Sequence, residues 1–228
     1  MKALLVGLMT LLGVAFGIAG TEATTTLTQN FSVQGGVSAS NFTTDRGLAT
    51  REDSIGASVS LTTPAGFGDL SFAASLFDTD GGGELDFGAS YSFDYDVFGE
   101  TIGLVAALED TESVFGDREE FSLTADCTYV ADFTVGLWYE TNNDWVGVEL
   151  GASYDFETPV ENLVATPFIV VNIADEYQAF ELGVKTSYVL TEDISVVGKL
   201  SFSDNNFGSS AFEVDEEWVV GAGLSYKF

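Results

Sequence analysis

Residues 85–95 read Leu-Asp-Phe-Gly-Ala-Ser-Tyr-Ser-Phe-Asp-Tyr, and this stretch decides the fold class. Apolar residues occupy every second position, and the positions between them hold only Asp, Gly or Ser. Successive side chains of a β-strand point to opposite faces, so this two-residue period predicts a strand with one apolar and one polar face. The same period recurs along most of the chain, in segments of roughly ten residues separated by Gly, Asp, Asn and Pro clusters.

The segments and their connections predict the topology of the sheet. The pattern gives about twelve strands, an even number, joined by connections of alternating length. The connections that we expect to be long, acidic and Gly-rich lie at 43–53, 78–84, 110–119 and 203–215. Segment 162–173 is weaker because it is apolar on both faces and contains Pro167, which predicts an uncertain register and a local distortion. Alternating short and long connections are typical of bacterial transmembrane barrels and place both chain ends on the periplasmic side.

The N-terminus differs from the rest of the chain. Lys2 precedes an almost entirely apolar run that ends in small residues at Gly20, which is typical of a secretory signal peptide cleaved after Ala19 or Ala23. An uncleaved membrane anchor is the alternative, since the run is just long enough to span a bilayer. We therefore expect a signal peptide at 1–20 and a single barrel domain at 21–228.

The two faces of the strands distinguish a membrane barrel from a soluble β-sandwich, which also alternates. The polar faces carry mainly small residues such as Ser58, Gly88 and Ser90, whereas a solvent-exposed face usually carries long charged side chains. Small residues suit the crowded inner wall of a barrel, and aromatic residues gather near strand ends as in interfacial girdles. An open sheet edge in lipid would leave backbone groups unpaired. The prediction is an all-β, transmembrane, antiparallel up-and-down β-barrel.

Residues 223–228 read Gly-Leu-Ser-Tyr-Lys-Phe at the end of the last predicted strand. Gly223, Tyr226 and Phe228 resemble the C-terminal assembly signal of Gram-negative outer-membrane β-barrel proteins, the porin-like proteins among them. Gly221 departs from that signal, which usually has a polar residue at this position. The resemblance implies a bacterial outer-membrane location, contact with outer-membrane lipid and recognition by the barrel assembly machinery, and it identifies no subfamily.

Composition excludes several classes of function. Seven basic residues against 36 acidic ones give a net charge of −29, which excludes nucleic acid as a partner. The chain has no histidine, so Ser-His catalysis and histidine metal ligation are absent. A phosphate-binding glycine loop and a cysteine cluster are also lacking, and the lone Cys127 falls on an apolar face. We expect no enzyme activity, no cofactor and no metal site.

The alternation places charged residues on the inward faces of the strands. They are seven acids and two lysines: Asp86, Asp94, Glu120, Asp126, Glu149, Asp155, Glu181, Lys185 and Lys199. Carboxylates that line a water-filled pore favour cations. Small inner residues leave room for an open pore, so the sequence predicts a porin-like channel for passive diffusion of small solutes, with a preference for cations. Asp126 and Glu149 are expected to contribute most to this preference, because they lie away from the predicted turns.

Two alternatives to this channel stay open at the level of sequence. In one, the lumen is narrow and its acids pair with the two lysines. In the other, the barrel is non-conducting and has a structural or surface-interaction role, with acidic loops that contact partners or divalent ions. The oligomeric state also stays open.

Overall fold

The chain is described by a computed structural model over residues 32–45, 48–79, 82–97, 100–113, 118–142, 144–175, 178–205 and 216–227. These residues form thirteen strands: β1 (Ser32–Asp45), β2 (Leu48–Ala65), β3 (Gly68–Thr79), β4 (Gly82–Val97), β5 (Glu100–Ser113), β6 (Arg118–Thr128), β7 (Asp132–Glu140), β8 (Trp145–Ser153), β9 (Phe156–Glu157), β10 (Leu163–Ala174), β11 (Gln178–Val189), β12 (Ile194–Asn205) and β13 (Glu216–Lys227). The described ranges contain no helix long and apolar enough to cross a membrane. The predicted signal peptide at 1–20 and the terminal Phe228 lie outside these ranges.

The strands form one closed antiparallel sheet. Each long strand pairs with its neighbours in sequence, and β1 pairs with β13, with Ala39 opposite Ala222, to close the barrel. The strand β9 has only two residues and continues β8 along the edge of β10, so thirteen strands minus this one leave twelve long ones. The predicted up-and-down barrel of about twelve strands is therefore confirmed.

The interruption between β8 and β9 lies opposite Pro167. The backbone N–H of Tyr154 donates to the carbonyl oxygen of Pro167 at 3.2 Å. Residues of such an antiparallel pair normally exchange two hydrogen bonds, but proline has no N–H to return. The register against β10 is the same on both sides of the gap, so the ladder loses one hydrogen bond without a shift. The local distortion that we expected near Pro167 is therefore found in the neighbouring strand, at the break between β8 and β9.

The strands run further than predicted at the end of the barrel opposite the chain termini. We call this the distal end, and the other the terminal end. The β1–β2 ladder continues to the pair Asp45–Leu48, inside the segment 43–53 that we expected to be a long connection. Segments 78–84 and 110–119 likewise belong largely to paired strands. The expectation of long connections there was wrong, because the backbone ladder continues after the outward side chains cease to be apolar.

Exposure distinguishes the two faces of the sheet. On β7, the outward side chains of Val135 and Leu137 are 49% and 52% exposed, whereas those of Trp138 and Glu140 are 4% and 6% exposed. On this strand, the lumen side chains are covered by other parts of the chain, whereas the outward side chains are not. The outward faces are therefore the apolar ones, as the alternation predicts, and this apolar surface suits lipid contact.

Candidate functional site: the barrel lumen

The strand register puts all of the predicted charged residues on the inward face, at different depths. Asp94, Asp126 and Asp155 lie within three residues of the terminal-end limits of β4, β6 and β9. Thr134 Oγ1 donates to Asp126 Oδ1 at 2.6 Å, and the hydroxyl of Thr166 donates to Asp155 in the same way. We had expected Asp126 to lie away from the turns, and this is wrong, since β6 ends two residues after it.

Towards the distal end of β6 and β7, three carboxylates lie side by side on neighbouring strands. Glu109 of β5 is opposite Glu120 of β6, and Glu120 is opposite Glu140 of β7; we call these residues the glutamate row. Direct cross-strand neighbours have Cβ atoms about 4.5–5.5 Å apart. Glu120 and Glu140 are 5% and 6% exposed, whereas Glu109 is exposed. Arg118 lies two residues before Glu120 on the same face and is the nearest inward basic residue along β6.

Of this row, the alternation predicted only Glu120 as an inward residue. Glu109 and Glu140 follow Leu108 and Tyr139, the last apolar residues of two outward rows. Continuing the two-residue alternation by one position would have placed both of them inward. They were missed because the strands were expected to end where the apolar rows end.

The two predicted lysines face each other across β11 and β12. Lys185 and Lys199 are direct cross-strand partners, and their ammonium groups lie 4.8 and 5.6 Å from the centre of the Phe168 ring. Lys199 Nζ lies 2.6 Å from Glu181 Oε1, and the hydroxyl of Ser201 donates to the same oxygen at 2.5 Å. Glu181 is only 4% exposed, and a buried carboxylate needs such partners. One of the seven predicted lumen acids is therefore paired with a lysine.

Part of the lumen is closed by packing. Cα atoms of β2 lie within 8 Å of Cα atoms of β11 and β12, although at least two strands separate them around the barrel. On this side, Asn172, Ser201, Ser203 and Val219 are at most 2% exposed; we call these four residues the packed wall. We had expected small inward residues to leave room for a pore. Here they instead allow the opposite walls to approach, so that expectation is wrong for this side.

A cavity of about 330 Å³ lies against β1, β2 and β3 and is bordered by β12 and β13. We call it the terminal cavity, because Gln34 and Ser225 of its lining lie near the terminal-end limits of β1 and β13. Its lining holds no charged residue, and Ser58 and Ala73 within it are exposed. At about 30 Å³ per molecule, it has room for roughly ten waters.

One aromatic side chain stands beside this cavity. Phe77 lies two inward positions from Ala73 along β3 and is the cross-strand partner of Gly56. A Cβ atom placed on Gly56 would lie 2.6 Å from the Phe77 ring, so the ring rests directly on the glycine. On its other side, Phe77 is opposite Glu84 of β4. An apolar ring therefore lies on the wall between the acidic strands and the uncharged cavity.

This closed barrel can be compared with solved structures. The fold is that of a bacterial outer-membrane β-barrel. The KdgM porin in complex with disordered oligogalacturonate aligns with a TM-score of 0.53 at 9% identity, over 86% of this chain and 99% of that one. The NanC porin aligns with a TM-score of 0.53 at 12% identity, over 87% and 100% of the two chains.

A third solved structure, an outer-membrane channel from Pseudomonas putida F1, gives a TM-score of 0.54 at 12% identity, over 87% of this chain and 94% of that one. No protein-family model and no curated protein sequence matches the chain. At such low identity the structural likeness shows a shared fold. It confirms the barrel fold that the sequence predicts, and the predicted outer-membrane location agrees with it.

Proposed function

We propose that this protein is an outer-membrane channel for passive diffusion of small solutes. The observation that carries the proposal is the lumen, which combines the glutamate row with an uncharged cavity of about 330 Å³ inside a closed barrel. The solved barrels with this fold that are named above are two porins and a channel. We propose no catalytic role for the chain.

A preference for cations is the finer part of the proposal. Inward acids of the described strands outnumber inward basic residues, and Lys199 is neutralised by Glu181. Carboxylates beside a low-dielectric wall raise the local concentration of cations. The KdgM structure holds an oligogalacturonate, which is a polyanion. The glutamate row supports the opposite charge preference in this chain.

Single-channel recording tests the channel directly. The purified full-length protein is refolded, its folded state is checked by heat-modifiable gel mobility, and it is inserted into a planar lipid bilayer. We expect discrete conductance steps, and a reversal potential of the cation-selective sign under a KCl gradient. A folded barrel that gives no steps would reject the channel.

A non-conducting structural barrel is the second candidate. The packed wall favours it, because Asn172, Ser201, Ser203 and Val219 fill one side of the lumen. The recordings separate the two candidates, since a structural barrel would insert into the bilayer without conductance.

We also propose the route by which the chain reaches the membrane. The apolar N-terminus supports export, with the mature protein beginning near Gly20 or Thr24. The ending Gly223, Tyr226 and Phe228 supports recognition by the barrel assembly machinery. N-terminal sequencing of the protein from isolated outer membranes tests the first point, and deletion of Phe228 tests the second.

A further inference from the structure

We propose that the water-filled path through the barrel is confined to one half of the lumen. It runs from the glutamate row past Phe77 into the terminal cavity, while the packed wall excludes water. The inference rests on the proposed channel function only in so far as this path carries solutes.

The packed wall forms the dry half. Ser201 and Val219 are cross-strand partners that are each 1% exposed, and Ser203 is 2% exposed. All three side chains face inward, so an open lumen would leave them in contact with water. The strand β2 approaches β12 from the opposite wall, with Cα atoms of the two strands within 8 Å, and we infer that it covers these side chains. A solute path along this side would have to separate walls that are already in contact.

The rest of the lumen is accessible to water, including the terminal cavity, which borders β12 and β13 nearer the terminal end than the packed wall does. Ser58 of β2 and Ala73 of β3 face inward and are exposed, and both line the terminal cavity. Glu109 of β5 also faces inward and is exposed. Serine is therefore fully buried at position 201 and exposed at position 58, although both residues lie on the inner wall. The two parts of the lumen therefore differ in how tightly the wall is packed and not in the type of residue that lines it.

Phe77 lies along this path. It lies between the acidic strand β4 and the terminal cavity, with its ring resting on Gly56. A solute that leaves the glutamate row would pass this apolar ring before it enters the uncharged cavity. A path that passes a charged, then an apolar, then an uncharged surface suits a small cation or a small neutral molecule. An anion would be repelled at the glutamate row.

Cysteine accessibility tests the division of the lumen. In a Cys127→Ser background, Ser58→Cys and Ser201→Cys are each treated with a charged, water-soluble methanethiosulfonate, and labelling of the folded barrel is measured by mass. Cys127 is a free cysteine on the outward face, so its removal leaves the lumen unchanged. We expect rapid labelling at position 58 and at least a tenfold slower reaction at position 201. Ser203→Cys repeats the buried position in case Ser201→Cys does not fold.

The outcomes separate this inference from the proposed function. Equal labelling of positions 58 and 201, or faster labelling of 201, would overturn the divided lumen, and so would the absence of labelling at both. If the wild-type barrel gives no current but labelling occurs only at position 58, the channel proposal is rejected and the water-filled half is retained.

In a conducting barrel, labelling of Ser58→Cys should also reduce the current, and Phe77→Ala should increase it. Ser203→Ala is the matched change that should leave the current unchanged, and an equal effect of both would contradict the role of Phe77.

Discussion

Inward side chains in this lumen are held in place by the residues opposite them on the neighbouring strands. Trp138 is 4% exposed and its indole ring covers Gly147, its cross-strand partner on β8. Placing a large aromatic ring over a glycine fills the space that the missing side chain leaves and protects the backbone. Ala179 lies in the same buried cluster, with Trp145 and Ala174 packed around it.

The first prediction concerns this glycine. Gly147→Ala should lower the free energy of unfolding by about 1–3 kcal/mol, because the new Cβ atom would overlap the indole ring of Trp138. Gly136→Ala is the matched control on the same face, since its Cβ atom would lie at an ordinary 3.5 Å from Glu149 and Thr124. Urea titration in lipid vesicles, followed by tryptophan fluorescence, measures both. Equal losses of stability would mean that Trp138 does not rest on Gly147.

At the scale of the strand, the sequence predicts which face each residue lies on better than it predicts where the strands end. The alternation predicts the faces of β4 and β7 because lipid and lumen impose opposite chemistry on successive residues. It does not predict the distal extensions, because beyond the lipid a strand needs only its backbone partners. The β1–β2 ladder reaches Asp45 and Leu48 for this reason.

The contents of the lumen were less predictable than its walls. The inward position of Glu120 follows from alternation, but its neighbours Glu109 and Glu140 depend on where strands end and on the cross-strand register. The approach of β2 to β11 and β12 joins residues far apart in sequence. No local pattern encodes that contact, so the burial of Ser201 could not be read from its neighbours in the chain.

The second prediction tests the faces of one strand. Leu150 of β8 is 44% exposed on the outward face, and Ser153 lies on the inward face of the same strand. Arginine facing hydrocarbon near mid-membrane costs about 2–4 kcal/mol, and a lumen position costs much less. Leu150→Arg should therefore destabilise the barrel more than Ser153→Arg in a denaturant titration. If the two variants unfold at the same denaturant concentration, the assignment of faces on β8 is wrong.

In the molecule as a whole, the glutamate row and the two inward lysines lie on different parts of the lumen wall. The glutamate row occupies β5, β6 and β7, whereas Lys185 and Lys199 face each other on β11 and β12. The lysines lie in the part of the sheet that β2 approaches, and one of them is paired with Glu181. Mobile cations in the water-filled half would therefore meet carboxylates more than ammonium groups.

The last prediction concerns the charge selectivity of the whole channel. The sequence predicts that Asp126 and Glu149 contribute most to it. Asp126 accepts a hydrogen bond from Thr134, whereas Glu109 is exposed in the lumen beside Glu120, so the structure shifts our expectation to Glu109 and Glu120. Under a KCl gradient, Glu109→Gln with Glu120→Gln should move the reversal potential towards zero. Asp126→Asn with Glu149→Gln should move it less.

Salt provides the physical control. The screening length is about 10 Å at 0.1 M salt and about 3 Å at 1 M, so the shift caused by the glutamate variants should shrink as KCl is raised. Glu192→Gln removes an exposed carboxylate from the turn between β11 and β12 and should leave the reversal potential unchanged. An anion-selective wild-type channel would reject the cation preference. If the channel is cation-selective and the double glutamate variant leaves its reversal potential unchanged, the selectivity arises elsewhere in the lumen.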